Sequence, residues 1–462
     1  MQSLEGHDTW SVVSTSNDTN NNLRTLSSLI VLQEKLGEDG GVSRYKAGLV
    51  ALGFRQRPGI DVVETYSPKV SFPAIRMVLS KAAVEDKEIV QLDIVTAFQE
   101  SEIEELIYLQ LPKEFGMSSE GKIVLKDTYN SDKSGTRTAR VVVQLKKSLY
   151  GFKQAGCNWY NTFESYLKNE LGMKSCKYEA GIYTTESGAT IIVWVKDMLL
   201  IGTKAEVRWM KSAISKRFKI NDLENVKFFL SMLVERDRDE RMIYLGQGAY
   251  LTRVLKRFQM ENCIGCPAPM DPKCKLHNCQ EEEEAADKTQ YQEGVGCLTY
   301  AAITTRPDKA YESGMVGLFS SNPSTAHWAV LKSILCYLRH TQHLCLRLGR
   351  STNWAIGGVN RLSGNAPIVA YADADFAGEV DGMRSTSGFI ILDQYGTIIH
   401  WESPRQKTVT KSTVDAEFNS TALAVEEALW LQKLREELYW YERECESERE
   451  CESECENECK GE

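Results

Sequence analysis

The fold class this sequence predicts is a multidomain chain of mixed α/β and α+β architecture, and three observations carry the prediction. Between residues 44 and 272, short β-branched apolar runs alternate with segments whose apolar residues recur at helical spacing. A stretch ending in EEEEAADK then interrupts the pattern with linker composition. Near residue 368 the alternation resumes, with three strand-like runs followed by one long helical pattern. At 462 residues, 42% hydrophobic and 26% charged, the chain can bury two or three ordinary cores.

Each segment has its own reason. Residues 1–43 open with an Asn/Thr/Ser-rich stretch expected to be disordered to about Thr25, after which LSSLIVLQEKLGE reads as a short helix and EDGG as a turn. Residues 44–272 form the first folded unit, with strands at AGLVALGF, IVQLDIV, RVVVQL and TIIVWV and helices at 75–84, 158–171 and 205–218. Residues 273–293 are an acidic linker. Helical patterns fill 294–364, where Asn322-Pro323 supplies a start signal before HWAVLKSILCYLRH. Residues 365–440 form a second α/β unit, with strands at PIVAYADADFA, TSGFIIL and GTIIHWE and a helix from Val414 to about Leu438. Residues 441–462 are a low-complexity Glu/Cys tail to which no fold is assigned.

The formal net charge of -9 is concentrated in two acidic runs. The tail holds ten Glu against Arg443, Arg449 and Lys460, and Glu281 to Glu284 with Asp287 form the other run. Without them the remainder is mildly basic, which permits a nucleic-acid partner without demanding one. No basic start followed by an apolar run opens the chain, and no segment reaches transmembrane length, so the expectation is a cytoplasmic or nuclear protein with no membrane partner. Thirteen cysteines, an odd number, are then expected to be reduced.

The run IIVWVKDMLLIG, 191–202, reads as two short buried strands meeting at a turn that carries Lys196 and Asp197. A carboxylate at such a turn is either an ordinary polar turn residue or a metal-ligand candidate, since hard cations require oxygen ligands. Asp93 in QLDIVTAF is, by itself, a strand-end Asp able to cap a helix at Thr96.

The order of motifs along the chain resembles the copia-type LTR-retrotransposon polyprotein, in its reverse transcriptase and ribonuclease H region. RYKAGLVALGFRQRPGIDVVETYSPKVSFPAIRMVL, QLDIVTAF, IEELIYLQLP, KKSLYGFKQAGCNWY, WVKD and RFKINDLENVKFFL follow in the family's sequence, and then LTYAAITTRPDKAY and HWAVLKSILCYLRHT. YADADFAGE, MRSTSGF and KSTVDAEF resemble the family's ribonuclease H domain. The resemblance implies a right-hand fold of fingers, palm and thumb, with the thumb beginning before residue 272, followed by a truncated ribonuclease H-like fold. It also implies RNA-directed DNA synthesis on an RNA template and DNA primer from deoxynucleoside triphosphates, with Mg²⁺ or Mn²⁺ as cofactor.

In that family two metal ions activate the primer hydroxyl and hold the triphosphate, and carboxylates converge on both. The resemblance makes Asp93 the bridging carboxylate and the hairpin pair two more ligands. Here the first of that pair is Lys196 and Asp197 alone remains. At about 4 Å and an effective dielectric of about 20, an ammonium opposes one divalent ion by roughly 8 kcal/mol before relaxation. Pairing with Asp93 or Asp197, or reaching toward solvent, relieves that repulsion without restoring a ligand. The reading is therefore of a catalytically impaired copy, with a non-catalytic nucleic-acid-binding remnant as the alternative.

Other positions depart too. The Arg of the family's KARLVA block is Gly48, leaving Lys46 as the neighbouring cation, while Gln154 keeps the nucleotide-pocket Gln and the Pro-Arg after it reads Gly156-Cys157. Glu224 and Ser231 replace turn glycines, with backbone strain of about 1 kcal/mol if φ is positive there. In the second unit the resemblance makes Asp373 and Glu417 catalytic metal ligands, with Asp375 more simply a solvent-facing acid. The third carboxylate of that site has no counterpart, because the chain passes into its Glu/Cys tail.

Three further signals have plain readings. Cys263, Cys266, Cys274 and Cys279, with His277 among them, have zinc-like spacing but are read as linker cysteines. Trp159 and Tyr160 could stack on bases, yet at helical spacing are expected in the core. Lys146, Lys147, Lys211, Lys216, Arg217 and Lys219 suit either a phosphate track or a solvated face.

Overall fold

The computed structural model describes residues 8–13, 24–36, 42–117, 123–125, 141–271, 274–350 and 368–458, the stretch after residue 439 by its backbone alone. From the N-terminus come β1 (Trp10–Val13), β2 (Thr25–Leu36), β3 (Val42–Ala51), α1 (Phe72–Val84), β4 (Glu88–Ile94), β5 (Tyr108–Gln110), β6 (Phe115–Met117), β7 (Ile123–Leu125) and β8 (Val142–Leu145). There follow α2 (Ala155–Asn169), β9 (Lys174–Ser175), β10 (Ile182–Thr184), β11 (Thr190–Trp194), β12 (Asp197–Gly202), α3 (Lys204–Arg217) and β13 (Ile220–Asn225). Next are β14 (Phe228–Phe229), β15 (Met232–Asp237), β16 (Met242–Gly246), α4 (Gly248–Arg257), α5 (Lys288–Thr304), α6 (Ala310–Gly317), α7 (Thr325–His340) and β17 (Cys345–Gly349). The C-terminal unit holds β18 (Ile368–Asp375), β19 (Thr386–Asp393), β20 (Ile398–Glu402) and α8 (Thr413–Glu458).

The first sheet runs β1-β8-β5-β2-β3, and it corrects the expectation at LSSLIVLQEKLGE. That segment is strand β2, not a helix, paired with β3 from Ser28↔Ala51 onward and with β5 at Thr25↔Tyr108. Its β-branched and leucine content suits either structure, and partners on both sides decide for the strand. The unit boundary expected at residue 44 accordingly falls inside β3.

The central sheet, β13-β4-β12-β11-β10-β9, carries the candidate site. Because successive side chains alternate between faces, Val90, Leu92 and Ile94 pack on one face with Trp159 and Phe163 of α2 and Met210 and Ile214 of α3. Ile89, Ile192, Leu199 and Ile201 pack on the other against α1. Helix α1 begins at Ser71, whose hydroxyl accepts a hydrogen bond from the Ala74 amide, and Pro73 sits in its first turn. Every residue from Pro73 to Ala83 is buried, because a second unit covers the helix from behind.

That second unit is the antiparallel sheet β18-β19-β20 with α8 laid across it. Phe389, Ile391, Ile399, Trp401, Leu431 and Leu434 join the same continuous core as α1 and the central sheet. Helix α8 runs on to Glu458, through most of the tail assigned no fold from sequence. Glutamate, arginine and lysine are good helix formers, and no proline or glycine interrupts the run before Gly461. Among the described residues no helix is long and apolar enough to cross a membrane.

Candidate active site

Strands β4 and β12 are neighbours in register, and Asp93 lies directly opposite Asp197. On its other side Asp93 faces Asn221 of β13. Both carboxylates fall on the sheet face shared with Ile89, Leu199 and Ile201, at the end beyond the apolar packing. Between Trp194 and Asp197 the hairpin closes over two residues, Val195 and Lys196. Val195 takes φ 59°, a conformation a two-residue hairpin turn requires and a β-branched side chain resists. Two bonds hold the turn: the Trp159 indole donates to the Val195 carbonyl at 2.5 Å, and the Ile94 amide donates to the Lys196 carbonyl at 3.0 Å.

With its backbone fixed there, Lys196 lays its ammonium over the carboxylates. Nζ donates to Asp93 Oδ1 and lies 3.4 Å from Asp197 Oδ1. Asp93 accepts a second bond from Asn221 Nδ2 at 3.1 Å. Partial burial pulls the lysine pKa down, but the Asp93 hydrogen bond and the two carboxylate charges outweigh it and leave the pKa raised. The ammonium therefore stays charged at neutral pH. Asp93 does not cap a helix: Thr96 heads the following turn in a left-handed conformation without a side-chain cap. Asn221 escaped the sequence reading; its polar side chain two residues after Lys219 in KINDL was the available signal.

The other sequence-predicted residues surround this point. Lys46 Nζ stands 5.5 Å from the Tyr150 ring centre, and burial raises the Tyr150 phenol pKa within the field of Lys196, Asp93 and Asp197. Gln154 is buried, accepting from Gln56 at 2.8 Å and donating to the Asp61 carbonyl at 3.1 Å. At Gly48 an added Cβ would meet nothing within 4 Å. Glu224 and Ser231 do adopt positive φ, 59° and 61°. Trp159 is a core residue stacked on Phe163 at 5.2 Å. Lys146 pairs with Asp8 and Lys211 with Asp222, whereas Lys216, Arg217 and Lys219 are exposed.

In the C-terminal unit Asp373 and Asp375 are exposed on β18 and Glu417 is exposed on α8. Ser420, one helical turn after Glu417, donates to the Asp373 carbonyl at 2.6 Å, which fixes that turn of α8 against the strand. The cysteine-rich loop shows no convergence of donors: Cys266 Sγ donates to the Ala268 carbonyl at 2.8 Å, and His277 Nδ1 lies 3.1 Å from the Asn278 carbonyl oxygen. Among the described residues no group of three or more His, Cys, Asp or Glu is placed to hold a metal ion.

Paired acids on neighbouring strands of a helix-backed sheet, one beside a tight hairpin, define the class: a mixed α/β protein whose acid pair holds an ammonium. Residues 7–272 match the family model described as reverse transcriptase (RNA-dependent DNA polymerase), and the chain belongs to that family. It is 34% identical, over 96% of its length, to the retrovirus-related Pol polyprotein from transposon TNT 1-94 of Nicotiana tabacum, covering 31% of that protein. It is 32% identical, over 88% of its length, to the Pol polyprotein from transposon RE2 of Arabidopsis thaliana, covering 26% of it. A Ty1-DR1 Gag-Pol polyprotein of Saccharomyces cerevisiae is 24% identical over 87% of this chain and 22% of its own length. The chain thus spans about a third or less of these relatives, the first two of which are copia-type transposon polyproteins.

Proposed function

We propose that this chain is the fingers, palm, thumb and partial ribonuclease H-like region of a copia-type polyprotein, descended from an RNA-directed DNA polymerase and strongly impaired in nucleotide addition. The observation that carries the reading is Lys196, whose ammonium bridges Asp93 and Asp197. In an active palm that space belongs to Mg²⁺ or Mn²⁺, held by three acids. Two carboxylates whose combined charge a lysine already halves do not fit a pair of divalent ions, even after solvent screening at a side chain 39% exposed is allowed for. The nuclease reading has the same weakness, since among the described residues Asp373, Asp375 and Glu417 are not placed as a group that could hold a metal ion.

Primer extension on an RNA template with Mg²⁺ or Mn²⁺ tests the proposal. The unaltered chain is expected to give no extension, and Lys196→Asp to recover it if Lys46, Gln154 and the template groove are intact. Robust synthesis by the unaltered chain refutes impairment. A second reading, nucleic-acid binding without chemistry, is favoured by exposed Lys216, Arg217 and Lys219 at the end of the sheet, where the Val95 amide bonds the Lys219 carbonyl. It predicts primer–template affinity that falls steeply with salt, and salt-independent affinity would refute it.

A further inference from the structure

Helix α1 carries polar side chains that a helix inside an apolar core has no reason to carry. Arg76, 2% exposed, donates from Nε to the Ile399 carbonyl of β20 at 2.7 Å. Its Nη1 donates to the Ile303 and Thr304 carbonyls at the end of α5, each at 2.9 Å. The guanidinium lies 4.0 Å from the centre of the Trp401 ring. No carboxylate among the described residues pairs with it, and burial pulls its pKa down to about 9, so it stays cationic at neutral pH. A buried cation is costly unless its protons are accepted, and here the acceptors come from segments more than 200 residues away.

One helical turn on, Ser80 Oγ donates to Asp393 Oδ2 of β19 at 2.6 Å, and beside it Lys81 Nζ donates to the Leu438 carbonyl of α8 at 3.0 Å. The contact extends past α1. Trp401 Nε1 reaches the Ala302 carbonyl at 2.8 Å, Trp430 Nε1 the Tyr178 carbonyl at 3.0 Å, and Cys176 Sγ donates to Glu437 at 2.9 Å. Beneath these bonds Ile75 and Leu79 share one apolar core with Ile192 and Leu199, on the strands of the Lys196 hairpin, and with Phe389, Ile391 and Trp401. Separation of the two units would expose that core, take the Ile399 carbonyl from Arg76 Nε and take the Ser80 hydroxyl from Asp393.

We infer that the β18–α8 unit serves this chain as the structural backing of the central sheet, folding with it as one cooperative body, a role independent of any nuclease chemistry. Helix α1 covers one face of the sheet as α2 and α3 cover the other, and the unit covers the outer side of α1. This role stands whether or not the polymerase site is active.

Hydrogen exchange read by mass spectrometry on the full chain tests it. In the unaltered chain, the slowest amides of residues 386–402 are expected to share one opening equilibrium with those of α1, β11 and β12. Arg76→Met is expected to lower protection in both sets by the same factor, about ten- to a hundredfold. Loss of protection from 386–402 while α1, β11 and β12 keep theirs overturns the inference, in either protein. If Arg76→Met does not fold, Ser80→Ala gives the same readout at smaller amplitude: a parallel fall supports the common body, and a fall on one side alone overturns it.

Discussion

The Trp159 indole, in the second turn of α2, donates its N–H to the carbonyl of Val195, the residue that turns the hairpin at positive φ. A ring buried to 1% exposure thus sets the angle at which Lys196 meets Asp93. Trp159→Phe keeps much of the packing against Phe163 and Phe218 but removes the donor. The expected cost is about 2–3 kcal/mol, combining an orphaned carbonyl with a small cavity. Thermal unfolding measures the total, and faster exchange of the 194–198 amides locates it. Unchanged exchange there would assign the cost to packing alone.

Glu224 and Ser231 pair a side chain with a backbone conformation that suits glycine. Glu224→Gly and Ser231→Gly are each expected to stabilise the chain by about 1 kcal/mol, with additive effects if the sites are independent. Denaturant unfolding of the two single variants and the double variant checks both statements.

Asp393 links pH to the packing of the C-terminal unit. Burial raises its carboxyl from 3.8 to about 6, despite hydrogen bonds from Ser80, Thr397 and Tyr395 that lower it. A folded-state pKa above the unfolded one gives a stabilising share that is complete below pH 3.8 and lost as pH rises through about 6, in total about 3 kcal/mol. His400 runs the other way: burial, and the charge of Arg76, depress it from 6.5 to about 3, so its share is present above pH 6.5 and lost on acidification. The two slopes oppose each other. The informative quantity is the stability of the parent minus that of Asp393→Asn, expected to fall by about 3 kcal/mol between pH 3.5 and 7. A constant difference across that range would remove Asp393 from the account.

Local pattern was enough to read the strands of the hairpin and of QLDIVTAF and the positions of α2 and α3, because each has clear apolar periodicity, and α3 adds the Thr203 capping box. The positive φ at Glu224 and Ser231 was legible only through the resemblance, where both stand in place of turn glycines. What failed was set by distant partners. Strand β2 resembles a helix until β3 and β5 flank it, and Asn221 and Arg76 acquire their roles only through residues more than a hundred positions away. The choice open to Lys196, solvent or carboxylate, was likewise decided by three-dimensional placement: the bond from Ile94 to its carbonyl holds it beside Asp93.

The bond from Arg76 to the Ile399 carbonyl closes a loop of 323 residues, and that length has a meaning in time. At roughly 5–20 residues per second, a ribosome needs about 15–65 s after making α1 to deliver β20. In that interval the central sheet is already made and can take one side of α1, while the outer side of α1 and the Nε of its arginine have yet to receive β20. The outer cover of α1 is thus the last part of its surroundings to leave the ribosome.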